Sequence, residues 1–229
     1  MQPYLFPYIG YFQLIKCVDI FILLDDVTFI NRGWINRNFI IVNKKKYMFT
    51  FSLKNKSQNT LIKDLELFDK KKNSKKFLKT LSINYSKTKS FSIIYPLIKD
   101  ILFNNEIKLS RLVKISIDRI TPILKINTPI IFSSTISNSK NLNGEDRIIN
   151  ICKKMNAKNY INLSGGVDLY DKEKFETNKL KLNFIKPKDF VYNQNGEKFL
   201  DNLSIIDVMM NNDLDNLTKL IKEYVIYSN

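Results

Sequence analysis

The chain has 229 residues, enough for a substantial core, with 44% hydrophobic and 12% aromatic residues. Its net charge is +15 and it contains no histidine, which excludes imidazole as base, nucleophile partner, pH switch or metal ligand; proton transfer must use Asp, Glu, Lys, Tyr, a substrate amine or water. No apolar run approaches the roughly 18 residues of a spanning helix, and the opening lacks the basic start and small-residue cleavage site of a signal peptide, so a cytoplasmic location is expected.

The elements read in chain order as follows. Residues 10–18 suit a short helix with Tyr11, Leu14, Ile15 and Val18 inward. The run IFILLDD, 20–26, reads as a buried parallel strand that ends in two carboxylates. Ligand crevices in open α/β sheets lie at the carboxyl ends of strands, which places Asp25 and Asp26 at such a crevice. Residues 39–42 and 47–53 read as a hairpin around a lysine-rich turn, and 61–67 as a further strand. Three helices follow, over 74–85, 91–103 and 108–126, with Pro122 kinking or ending the last. Residues 129–134 read as a buried strand and 145–156 as an amphipathic helix with Ile148, Ile149, Cys152 and Met155 inward. Strands are predicted over 159–164 and 181–185. A helix from the Ser204–Asp207 capping box reaches about 211, and a last helix covers 213–226, with Leu214, Leu217, Leu220, Ile221 and Tyr224 on one face. The sum is α/β: a mostly parallel central sheet with flanking helices and a β-hairpin, in a single domain with a helical insertion at about 74–126.

Cys17 and Cys152 suggest neither a disulfide framework nor a zinc site and read as reduced packing thiols. The positive charge follows a bias toward Lys, Asn and Ile and reads mainly as solvated surface. A nucleic-acid groove would favour arginine, of which there are five, so nucleic acid is not the expected partner.

Two of the five arginines, Arg32 and Arg37, flank the single tryptophan, Trp34, in DDVTFINRGWINRNF, 25–39, together with Asn31, Asn36 and Asn38. Guanidinium forks match carboxylate or phosphate, asparagine amides suit sugar hydroxyls, and tryptophan stacks on a sugar face or a base. Asp25 or Asp26 suits accepting a proton from an attacking amine or holding a cation; as neighbours on a strand they should not both face one pocket. The bland alternative pairs an arginine with an aspartate and leaves the asparagines to cap turns. A second cluster, QPYLFPYIGYF at 2–12, fixes an extended segment that places Gln2 and Tyr4 for ligand contact; the alternative is an aromatic staple over the sheet. Gly165–Gly166 after a strand, with Tyr170 beyond, admits close backbone approach or phosphate, though a plain turn is the commoner reading. Tyr192 and Gln194 carry a weaker signal.

MQPYLFPYIGYFQLI, then DDVTF, then RGWINRN resemble the WbqC-like family of bacterial proteins. Further matches fall in order: the serines 133–134, ICKKMNA, YINLSGG with Tyr170, Tyr192 with Gln194, and LSIIDVMMNN at 203–212. The resemblance implies a role in surface glycan synthesis of the O-antigen type, in lipopolysaccharide biosynthesis: a transferase moving an aminoacyl or acyl group to the amine of a nucleotide-linked amino sugar. A thioester donor, on an acyl carrier protein or coenzyme A, is expected, with no bound cofactor and no metal. Asp25, Asp26 and Arg37 are the expected catalytic groups. Gln2, Tyr4, Asn31, Arg32, Trp34, Asn36, Asn38, Gly165, Gly166, Tyr170, Tyr192 and Gln194 are the expected substrate contacts. The alternatives are a non-catalytic protein that binds nucleotide sugars or glycan intermediates, and a metal-dependent nucleotidyl-transfer-like enzyme. Two departures stand out. The family carries a strand ahead of its Gln-Pro motif, whereas this chain starts at Met1, so either the start lies upstream or that strand is lacking. The histidines frequent in the family are absent, so they are not essential to any chemistry this chain shares with it.

Overall fold

A computed structural model describes residues 1–54, 56–57, 59–136, 142, 144–194 and 198–228. Helix α1 (Ile9–Lys16) buries almost its whole length and leads to the short strand β1 (Phe21–Leu23). A hairpin follows, β2 (Arg37–Val42) and β3 (Lys45–Thr50), turning on Asn43 and Lys44, both at positive φ, the geometry that suits a tight hairpin. Strand β2 begins two residues earlier than the sequence predicts, so Arg37 and Asn38 lie within the ladder, opposite Thr50 and Phe49.

The helical subregion comprises α2 (Lys70–Tyr85), α3 (Phe91–Phe103) and α4 (Leu109–Ile120). On α4 the expected stripe from Leu109 to Ile120 is buried, and the helix stops before Pro122. Strand β4 (Ile130–Phe132) precedes α5 (Gly144–Lys154), β5 (Asn159–Leu163), α6 (Lys172–Thr177) and β6 (Lys181–Pro187). Two short helices, α7 (Ile205–Asn211) and α8 (Leu214–Leu220), lead to β7 (Tyr224–Tyr227).

Three expectations need correction. Residues 61–67 form a single 3₁₀ turn, Ile62–Asp64, flanked by isolated bridges. The last helix ends at Leu220, and Tyr224–Tyr227 pairs antiparallel with β6, because the open edge of β6 outcompetes another helical turn. Nor do the described residues form a large, mostly parallel central sheet. Parallel pairing is present, β1 with β4 and β5 with β6, but in separate small sheets.

Between β1 and β5 runs a groove of about 700 Å³, bordered by Ile20 and Ile22 on one side and Asn159 and Ile161 on the other. Met1 reaches into it: its amino nitrogen donates to the Ile22 carbonyl at 2.9 Å, and its own carbonyl accepts from Leu24 N at 2.7 Å. That is one rung of a parallel ladder. Cys17 and Cys152, both free thiols, line the same groove, and burial pushes both pKa values up to about 11.

The larger hydrophobic cluster runs from the opening segment and α1 through the hairpin and α2–α4 to α7. A smaller one joins α5, α6 and β6 around Phe175 and Phe184. No described helix is long and apolar enough to cross a membrane.

Candidate functional site

The parallel pairing of β1 with β4 sets Leu23 opposite Phe132, so the two strands end side by side. Asp25–Asp26 on one chain segment therefore meets Ser133–Ser134 on the other. Asp25 Oδ1 accepts from Ser134 N at 3.0 Å and from Ser133 Oγ at 3.3 Å, and its Oδ2 accepts from Ser134 Oγ at 2.8 Å. The Ser133 hydroxyl also bonds Asp26 Oδ1, and Asp26 Oδ2 pairs with Arg147 from α5. Strand alternation does not separate the two aspartates, because β1 has already ended: Asp25 N turns back to the Leu23 carbonyl, and one serine then reaches both carboxylates.

Arg147 is buried, although the sequence reading kept only apolar residues on the inner face of α5. Its proximity to Asp26 is close but poorly aligned, and among the described residues Nε finds no acceptor. The available signal was scarcity: Arg147 is one of five arginines and adjoins the inward Ile148. These strand-end carboxylates are held by hydroxyls and a guanidinium. Among the described residues no three ligating side chains gather for a metal.

The tryptophan loop does form a hollow. Trp34, 44% exposed, lines a cavity of about 390 Å³ with Tyr4, Pro7 and Tyr8 of the opening segment, Asn38 of β2 and Lys46 of β3. Leu5 N donates to the Ile35 carbonyl at 2.9 Å, which ties the opening segment to the loop. The Arg37 guanidinium lies 5.6 Å from the Trp34 ring centre, and its Nε donates to the Gly33 carbonyl at 2.8 Å. No described carboxylate pairs with Arg37 or Arg32; Arg32 is exposed at φ 62°. Burial raises the pKa of Tyr4, and burial together with Tyr4 pushes Tyr8 up to about 12, so both phenols stay protonated at neutral pH.

A second hollow, of about 510 Å³, adjoins the first. Tyr8 and Asn202 line both. Ile9, Phe190, Phe199 and Leu203 line its apolar part, with Val191 at the rim and the charged Lys186, Lys188 and Asp189 beside them.

The remaining candidates separate by what their polar atoms already hold. Asn36 Nδ2 donates to the Phe51 carbonyl at 2.7 Å, and Asn38 Nδ2 donates to that of Phe6 at 2.9 Å; both fix backbone, though Asn38 still borders the hollow. Asn31 is exposed, and the Gln2 carbonyl accepts from Tyr11 OH at 2.9 Å. Gly165 faces open space, whereas a side chain at Gly166 would meet the Asn162 amide 2.9 Å away. Asn162 donates to Tyr170 OH at 2.9 Å, and that hydroxyl lies 2.9 Å from Tyr160 OH, an internal knot under the glycine turn. Tyr192 OH donates to buried Asp207 at 2.6 Å, and Tyr85 OH donates to its other oxygen at 2.5 Å. Gln194 clamps Leu200 through both backbone groups, at 2.9 and 2.8 Å. The structure thus gathers Tyr4, Trp34, Asn38 and Arg37, and sets Asp25 and Asp26 in a separate polar cluster.

A family model described as the WbqC-like protein family matches residues 2–219. The uncharacterized protein Rv1507c of Mycobacterium tuberculosis (strain ATCC 25618 / H37Rv) is 26% identical over 216 residues, covering 92% of this chain and 91% of that protein. No solved structure matches significantly. The chain belongs to the WbqC-like protein family.

Proposed function

We propose that this chain binds a nucleotide-linked amino sugar and transfers an acyl or aminoacyl group to its amine from a thioester donor, in the synthesis of a surface glycan of the O-antigen type. The observation that carries the reading is the aromatic hollow: an exposed Trp34 ring, two protonated phenols and the cationic Lys46 around one cavity. Trp34 supplies a stacking face for a base or sugar ring, and Lys46 and Arg37 supply positive charge for a diphosphate. Amine attack on a thioester needs chiefly positioning, which a histidine-free site supplies. The donor is an acyl carrier protein or coenzyme A, and the surrounding lysine-rich surface suits either anion.

Asp25 and Asp26 enter this reading as the brace that holds the ends of β1 and β4 against α5. Their engagement with Ser133, Ser134 and Arg147 also favours a second reading, a binding protein with the same hollow and no transfer step.

Titration of Trp34 fluorescence with UDP- and dTDP-linked amino sugars tests the first claim, since the protein has one tryptophan. Saturable quenching is expected, with Trp34→Ala abolishing binding as read by calorimetry. Absence of binding across the panel overturns both readings. Binding without amide formation from any thioester selects the second. A strict requirement for Mg²⁺ points instead to nucleotidyl transfer.

A further inference from the structure

Tyr8 stands in the wall common to both hollows, and no described residue bonds its hydroxyl. Its place is built in by the helix beneath it. A Cβ added at Gly10 would lie 2.8 Å from the Tyr8 hydroxyl and closer still to its ring, so only glycine lets the phenol rest across the first turn of α1. Beside Tyr8 the same wall continues as Lys46, paired at 2.7 Å with Asp201, and Asn202, whose amide donates to Asp201 at 3.1 Å. One side of the wall is the tryptophan hollow. The other is larger and floored by Ile9, Phe199 and Leu203, with Val191 at its rim 77% exposed. Lys186, Lys188 and Asp189 also line this hollow, so its apolar part is a narrow strip of a size that suits one short acyl chain beside polar groups.

We propose that the second hollow is the acyl compartment of the site, and that Tyr8 donates a hydrogen bond to the carbonyl oxygen of the acyl group at the junction. This rests on the transfer reading above. The sugar amine, seated on the Trp34 side, attacks the thioester carbonyl carbon; the C–N bond forms and negative charge develops on the oxygen facing Tyr8. The C–S bond then breaks, and the amine proton goes, through water, to the departing thiolate, which leaves as thiol. No oxidant or metal is needed for the balance. A phenol held protonated in a partly dry wall is suited to stabilising that oxygen, as an oxyanion-hole donor does.

The test uses S-hexanoyl-N-acetylcysteamine, ¹³C-labelled at the carbonyl, as a small donor probe. Calorimetry should show binding that weakens by at least about fivefold in Val191→Asp, where a charge replaces apolar contact. Trp34→Ala should leave it unchanged. Infrared spectra should show the bound carbonyl stretch shifted to lower frequency in the native protein and unshifted in Tyr8→Phe. Gly10→Ala, which displaces the ring, should behave as Tyr8→Phe does, and the phenylalanine variant decides the matter if the alanine variant does not fold. Where turnover is measured, Tyr8→Phe should lower kcat by about tenfold or more with KM little changed. Equal affinity for the probe in Val191→Asp, displacement of the probe by the sugar nucleotide, or a carbonyl shift that survives in Tyr8→Phe overturns the proposal. Failure of every sugar nucleotide to quench Trp34 would sink the earlier reading, while the probe measurements would still judge this one.

Discussion

The brace between β1 and α5 gives the sharpest expectation. Asp26 and Arg147 keep 9% and 7% of their side-chain surface exposed, so neither charge has water to fall back on. Removing one partner strands the other in a low-dielectric interior, a loss of about 3–5 kcal/mol for buried pairs. For a chain of this length each kcal/mol shifts Tm by about 2–4 °C, so Asp26→Leu or Arg147→Met should each lower it by about 6–20 °C. The double variant Asp26→Leu/Arg147→Met removes both charges and should recover much of the loss, because a well-packed apolar pair replaces a buried ion pair at little cost. Urea unfolding of the four proteins, followed by circular dichroism, closes a double-mutant cycle. Trp34 titrations on the folded variants should be unchanged if the pair braces the fold. Single variants within about 1 kcal/mol of the native protein, the range of solvated surface pairs, would refute the reasoning. So would a double variant as unstable as the two losses added together.

Asp207 should tune stability with pH. Burial raises its pKa above the ordinary 3.8 against the lowering pull of Tyr192, Tyr85 and Asn211. An acid whose folded value is raised contributes stability that is complete below the unfolded value and is lost as pH climbs through the folded one. Unfolding free energy should therefore decline from this group as pH rises from about 4, and Asp207→Asn should flatten that slope in urea titrations at stepped pH. Asn36→Ala leaves the Phe51 carbonyl without its donor in a buried place and should cost about 1–3 kcal/mol, read by the same unfolding assay. Lys46→Ala breaks only an exposed pair with Asp201, so thermal stability should barely move. Its affinity for sugar nucleotides should nonetheless fall, and the salt dependence of that affinity should shrink, which titrations at two ionic strengths will show.

What the residues disclosed on their own follows the reach of the forces involved. The apolar runs ending at Leu24 and Phe132 are legible because they carry no polar alternation, and their parallel pairing carries Asp25–Asp26 to Ser133–Ser134, where hydroxyls take up the carboxylates away from the hollows described above. The last strand was not legible. Leu214, Leu217, Leu220 and Ile221 set a helical period that Tyr224 happens to continue, and only the distant edge of β6 makes Tyr224–Tyr227 extended. Propensity is local; the edge that overrides it lies about forty residues back along the chain.

The same distinction decides which polar residues remain for chemistry. Asn36, Asn38 and Trp34 sit within five residues of one another and looked equivalent in the sequence. Folding gives the two asparagine amides to the carbonyls of Phe51 and Phe6, while the indole ring remains at the surface of a hollow. A buried amide is committed because an unpaired one is costly; an indole half in water has no such obligation. Asp26 met its partner 121 residues later in Arg147, a pairing invisible to any local window. Tyr8 is the reverse case. It lies in the proline-aromatic segment whose expected ligand contacts are Gln2 and Tyr4, yet its hydroxyl is left unspent where two hollows meet. A group that folding leaves unpartnered beside a cavity is a better candidate for ligand contact than one chosen for its chemical type, which is why the proposed catalytic contact moves from the aspartates, expected to take the amine proton, to the phenol that meets the acyl oxygen.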